Sequence, residues 1–157
     1  MVLSHARALL AADSGVGVLD ADMHDPAAIL DAPVTRELID FSKPLGLVCV
    51  AVFEFSPDDE PFRILRAFRD RMAPGSYLTA SHLSTEGITE DDVAAVKAAY
   101  STTPSGIEMR DGDYVSALFD GFDVVEPGLV RVEQWRGFGR PTYGTFVGGV
   151  GRLQAGA

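Results

Sequence analysis

Internal disulfides are excluded at once. The 157-residue chain holds one cysteine, Cys49, which has no partner within the chain and agrees with a reducing compartment. Long apolar runs are also lacking, and none approaches the ~20 residues that a membrane-spanning helix needs. The opening MVLSHARALL lacks the basic start and extended apolar stretch of a secretory leader, so the expected location is cytoplasmic and no membrane is an expected partner. Cations are scarce: 13 Lys and Arg stand against 23 Asp and Glu, for a formal net charge of −10. Polyanions are repelled at long range by such a chain, so nucleic acid is not an expected partner. Three histidines, His5, His24 and His82, lie far apart with no metal-ligand spacing, and no G-x-S-x-G nucleophile turn is present. The stretches GFGRPTYG and VGGVGRL do not stand between a strand and a helix, as a phosphate-cradling loop requires. They read as turn and strand-end glycines. No repeat, linker or low-complexity tract interrupts the chain, so residues 1–157 form a single domain.

What is present alternates helices with strands. Val2, Leu3, Ala6, Leu9 and Leu10 recur at helical steps and Ser14-Gly15 stops them, which predicts a helix over residues 2–12. Val16 to Asp20 reads as a short strand. Asp25-Pro26 is a helix start, with aspartate as the cap and proline at the first position. Thr35 to Asp40 reads as a further helical turn or two. Leu45 to Val52 is apolar on both alternating faces, the mark of a parallel strand buried on both sides. Pro61 opens a helix whose Phe62, Ile64, Leu65, Phe68 and Met72 face inward, while Arg63, Arg66, Arg69 and Arg71 form a solvated face. Tyr77 to Ser81 is a strand, Thr89 to Tyr100 a helix, and Asp113 to Phe119 a short helix closed by Gly121. Phe122 to Val125 and Leu129 to Val132 are strands around Pro127-Gly128. Arg136 to Gly144 is a loop, and Tyr143 to Val150 is a final strand. The pattern is α/β, with a mostly parallel sheet and an antiparallel C-terminal strand.

Ligands in such folds sit beyond the carboxyl ends of the strands. The segments expected there are 20–25, 53–59 and 81–85. In DADMHD a carboxylate can accept a hydrogen bond from an exocyclic amine such as that of adenine, with Met23 packed on the ring. The same acids and His24 could instead ligate a metal, or simply end a strand and cap a helix. In FEFSPDD, Phe53 and Phe55 could wall a flat ligand with Glu54 pointing inward, or both rings could belong to the core. His82 follows a strand and is a candidate site residue. Cys49, mid-strand among apolar residues, is expected to be inert.

The stretches VLSHARALL, DADMHDPAAIL, IDFSKPLGLVCVAVFEFSPDD, APGSYLTASHLS, LFDGFDVVEPGLVRVEQWR and VGGVGR, in this order, resemble a bacterial family of S-adenosylmethionine-dependent methyltransferases once known as a domain of unknown function. The resemblance implies a class I methyltransferase (Rossmann-like) sheet that uses S-adenosylmethionine. It places Asp22 and Met23 at the adenine, and Phe53 and Glu54 near the methionine part of the cofactor and the methyl acceptor. Glu54 stands where the family more often carries histidine. The family's glycine-rich turn after a first strand, and the acid ending a second, do not occur in this chain. The resemblance therefore implies an N-terminally incomplete domain, short of a strand–helix–strand unit of ~30 residues or more. Such a domain would leave the strand at 45–52 with an open apolar edge, which invites pairing with a second copy. Two functions compete: methyl transfer to an acceptor the sequence does not name, and a non-catalytic interaction module that pairs through the open edge. A metal-binding protein built on the acidic turn is the third.

Overall fold

Two prolines set the first helices among the described residues. The computed structural model describes residues 15–137 and 145–155, so the helix expected over residues 2–12 and most of the loop at 136–144 lie outside the described residues. α1 spans Pro26–Leu30, and the Asp25 side chain accepts a hydrogen bond from the Ala28 N–H at 3.1 Å, as the Asp-Pro start predicts. α2 spans Pro33–Leu38. Residues 16–20 form no strand. Among the described residues no strand pairs with them, and the expected strand there is corrected to a segment without regular structure.

β1 spans Gly46–Val50 and ends in a 3-10 turn, Phe53–Phe55, that leads to α3, Glu60–Arg69. β2 spans Tyr77–Leu83, two residues longer than expected. α4, Glu90–Ala99, starts from a capping box in which Thr89 and Asp92 bond reciprocally. α5 spans Gly112–Ala117, and Gly121, at φ +84°, closes the turns that follow it. β3 is Phe122–Val124 and β4 is Val130–Arg131. A 3-10 segment, Val132–Gly137, precedes β5, Phe146–Leu153.

The α/β class holds, with a mixed sheet. Its order is β1-β2-β5-β3, and β4 also pairs with β5. β1 and β2 are parallel, with Gly46 opposite Tyr77. β5 runs antiparallel to β2, β3 and β4, as expected of the C-terminal strand. The parallel part of the sheet is thus a single strand pair.

One face of the sheet carries the core. Cys49, Leu78 and Ala80 pack there against Phe53, Ile64, Leu65, Leu118 and Phe119. The other face of β1 is open: Val48 and Val50 are 68% and 52% exposed. The expectation of a strand buried on both sides is corrected here, because none of the described elements covers Val48 and Val50 on this face; among the described residues β1 is also an edge strand, with a neighbour on one side alone. The glycines of VGGVGRL are also corrected, from strand ends to strand interior. Gly148, Gly149 and Gly151 lie within β5, and a Cβ on Gly148 would sit 2.6 Å from the Ala80 carbonyl oxygen. The arginine face is partly docked. Arg63 donates to the His24 carbonyl oxygen at 2.7 Å, and Arg69 donates to that of Asp120 at 2.8 Å.

Candidate functional site

Three segments converge beyond the carboxyl ends of β1 and β2. The first is the turn from Asp22 to Asp25, closed by the Asp25 N–H donating to the Asp22 carbonyl oxygen at 3.0 Å. Asp22 Oδ1 accepts from the His24 backbone N–H at 2.9 Å and from His24 Nδ1 at 2.8 Å. These two bonds, the backbone one foremost, hold the Asp22 carboxyl below its ordinary range. The side chain is 71% exposed, so it offers an ionised acceptor to the solvent side of the site. Because Nδ1 carries the proton, the neutral ring leaves Nε2 to accept from the Ser56 hydroxyl at 3.1 Å. That bond ties the first segment to the second. Met23 packs against the edge of the core beneath.

The second segment is the 3-10 turn and its exit. Phe53 is a core residue, 1% exposed, while Phe55 lies at the surface with its ring 6.2 Å from that of Tyr100. Of the two aromatics, Phe55 is the one open to a ligand. Glu54 is also enclosed. Its Oε1 accepts from the Leu83 N–H at 3.1 Å, and its Oε2 has no hydrogen-bond partner. Burial raises the Glu54 carboxyl above its ordinary value.

The third segment is the end of β2. His82 is fully enclosed, and its Nδ1 donates to the Leu83 carbonyl oxygen at 2.9 Å. That bond fixes the tautomer, so the neutral ring keeps a lone pair on Nε2, which has no partner. Tyr114 meets the His82 ring edge-on at 5.7 Å and donates its hydroxyl to the Asp58 carbonyl oxygen at 2.7 Å. Arg110 lies over the Tyr114 ring at 5.0 Å. Two titratable side chains, Glu54 and His82, are therefore held from either side of one backbone unit, Leu83.

The structure thus links Asp22 and Met23 to the turn that carries Phe53 and Glu54, through His24 and Ser56. Sequence reasoning did not single out Ser56, placed Arg63 on a solvated face, and weighed His24 only as a metal ligand. One signal was available: His24 lies two residues from Asp22, the spacing at which a side chain bonds back onto its own turn. Among the described residues, no group of three His, Cys, Asp or Glu side chains is placed to hold a metal. No helix among the described residues is long and apolar enough to cross a membrane. Cys49 is buried, and desolvation pushes its thiol up to about 11, so it is no nucleophile at neutral pH.

Comparison with known proteins adds the following. A family model described as S-adenosyl methyltransferase matches residues 1–153. A solved candidate methyltransferase from Thermobifida fusca YX is 32% identical, with a TM-score of 0.88 over 98% of this chain and 60% of its own. A DUF574 family protein from Streptomyces avermitilis MA-4680 is 29% identical, with a TM-score of 0.76 over 86% of this chain and 54% of its own. The S-adenosylmethionine-dependent methyltransferase SibL in its apo form shares the fold, with a TM-score of 0.62 at 17% identity over 98% of this chain and 41% of its own. No curated protein matches. This chain therefore spans 60% and 54% of the length of its first two structural relatives.

Proposed function

The chain belongs to the S-adenosyl methyltransferase family, and from that premise we propose that it takes part in methyl transfer from S-adenosylmethionine by forming the carboxyl-end wall of the cofactor site. Asp22 accepts the hydrogen bond of the adenine amine, and Met23 supports the ring. The Phe53–Glu54 turn borders the methionine end of the cofactor, close to the acceptor. The observation that carries this reading is the His24–Ser56 hydrogen bond, which holds the two cofactor-facing turns together.

The residues fit the group. An ionised, exposed carboxylate suits a neutral amine donor. Bound there, the cofactor supplies a methyl group already activated on a sulfonium. The task left to this chain is orientation: Asp22 fixes the ring, and the 3-10 turn sets the floor on which the acceptor approaches.

Calorimetry with S-adenosylmethionine and S-adenosylhomocysteine tests the reading. Both are expected to bind, and Asp22→Asn is expected to weaken both by roughly tenfold, the worth of one hydrogen bond to a charged group. Absence of heat with the intact chain, or equal affinity in the variant, refutes it.

A second reading has its own observation. The open edge of β1, flanked by the exposed Val48 and Val50, favours a chain that associates with another copy of itself.

A further inference from the structure

A single imidazole joins Asp22 to Ser56. The Nδ1–H of His24 donates to Asp22 Oδ1 at 2.8 Å, and its Nε2 accepts from the Ser56 hydroxyl at 3.1 Å. A carboxylate only accepts, which is why the proton stands on Nδ1. The backbone N–H of His24 donates to the same Oδ1 at 2.9 Å. One residue thus supplies both bonds to one oxygen and sets the rotation of the carboxylate. No hydrogen bond reaches Asp22 Oδ2 among the described residues, so that oxygen is left for a ligand.

The two ends of this tie stand in different surroundings. Ser56 is 1% exposed, and among the described residues His24 Nε2 is the one partner of its hydroxyl. The Asp22 end is open to water. A proton gained by the ring turns Nε2 from acceptor to donor. The Ser56 hydroxyl must then accept, and its own proton loses its acceptor in an enclosed place. In exchange, the Asp22 end gains an ion pair that water screens. The imidazolium also draws on the negative charge that an amine donor would use. Asp25 on the same turn and Glu60 on α3 attract a proton to the ring. Arg63 on α3 opposes them, since it donates to the His24 carbonyl oxygen at 2.7 Å and to Glu60 at 2.6 Å. Asp58 and Asp59 follow Ser56 in the chain. Asp22 itself stays ionised at neutral and mildly acid pH, because its bonds to His24 hold its carboxyl low.

We propose that His24 is the positioning residue of the adenine contact, and that it acts only as the neutral ring with its proton on Nδ1. The inference rests on the transferase reading of Asp22 and adds its regulation. In that form His24 presents Asp22 Oδ2 to the amine and ties the Asp22 turn to the Glu54 turn through Ser56. A gained proton loosens the tie, so cofactor affinity falls as pH drops through the range in which imidazoles titrate.

The probe is 5′-methylthioadenosine, which is uncharged from pH 5.5 to 8. It lacks the methionine end, so its binding reads the adenine contact apart from the Glu54 turn. Calorimetry on the intact chain is expected to show about fivefold weaker binding at pH 5.5 than at pH 8, the worth of one hydrogen bond. His24→Phe removes both ring bonds and should bind about fivefold more weakly than the parent at pH 8, with no dependence on pH. His24→Asn keeps an N–H near the place of Nδ1 and holds no titratable proton. It should bind between the parent and the phenylalanine variant, again without pH dependence. The position is half-exposed, and thermal melts at each pH check that all three proteins are folded. A long-range ¹H–¹⁵N spectrum reads the ring directly, and the His24 signals are those lost in His24→Asn. They should show the proton on Nδ1 at pH 8 and both nitrogens protonated at pH 5.5. A pH profile that survives in His24→Asn, a phenylalanine variant that binds like the parent, or a ring protonated on Nε2 alone at pH 8 overturns this inference and leaves the cofactor reading standing. Absence of binding by methylthioadenosine and by S-adenosylhomocysteine at both pH values overturns the two together.

Discussion

Two glycine-to-alanine substitutions in one sheet should move stability in opposite directions. At Gly148 a Cβ would stand 2.6 Å from the Ala80 carbonyl oxygen and 2.8 Å from the Ser81 Cβ. Both neighbours belong to the paired strand β2, with Ser81 directly opposite in the register. Neither is the free end of a flexible side chain, so the strands must part. Overpacking of this kind costs about 1–3 kcal/mol. Gly46, at the start of β1, is exposed, and a Cβ there would meet nothing within 4 Å. Neither glycine has a positive φ, so alanine is free to adopt both conformations and space alone decides. Gly46→Ala should therefore gain about 0.5–1 kcal/mol from the lower entropy of the unfolded chain. The same gain offsets part of the cost at Gly148 and cancels in the comparison, leaving a gap between the variants of about 1–3 kcal/mol. For a chain of this length the gap corresponds to roughly 2–12 °C in Tm. Thermal unfolding by circular dichroism, with guanidinium unfolding to confirm the order, measures it. A Gly148→Ala protein as stable as the parent would refute the close approach of β2 and β5.

Two further predictions concern Glu54 and β1. The raised Glu54 pKa means that the folded chain binds the proton more tightly than the unfolded chain does. Its contribution is fully present below the unfolded value and is lost as pH rises through the folded one. His82 is the titratable neighbour, and Glu54→Gln keeps an oxygen for the Leu83 N–H. The variant should therefore gain Tm on the parent as pH is raised from 4 to 8. A constant difference, or one of opposite slope, counts against a desolvated carboxyl. On the open edge of β1, light scattering should show the parent's mass rising with concentration above 16.8 kDa, and Val48→Lys should hold it at the monomer value. A parent that stays monomeric at all concentrations sinks the second reading.

Much of the fold was legible in local signals, and the misses share one cause. Asp25-Pro26, Pro61 and Thr89 mark helix starts through chemistry confined to a few residues, and the structure has helices there. Hydrophobic pattern, by contrast, reports what a segment could bury and not what is beside it. Leu45 to Val52 reads as doubly buried, yet no described element covers the face that carries Val48 and Val50. The glycines of β5 were read as strand ends because nothing local shows that β2 presses against them. In the candidate site, the acids and aromatics at the strand ends were visible, whereas the His24–Ser56 link spans 32 positions.

β5 has a bearing on the order of synthesis. It is the last element of the described chain, and β2, β3 and β4 all pair with it. Until residues 146–153 have left the ribosome, only the two-stranded pair β1–β2 can form, and such a ribbon is marginal in water. A nascent chain stalled a few residues short of Phe146 would hold nearly all of its helices and almost none of its sheet. Among the described strands the sheet therefore closes late, and the apolar side chains of β2 stay open to aggregation until then.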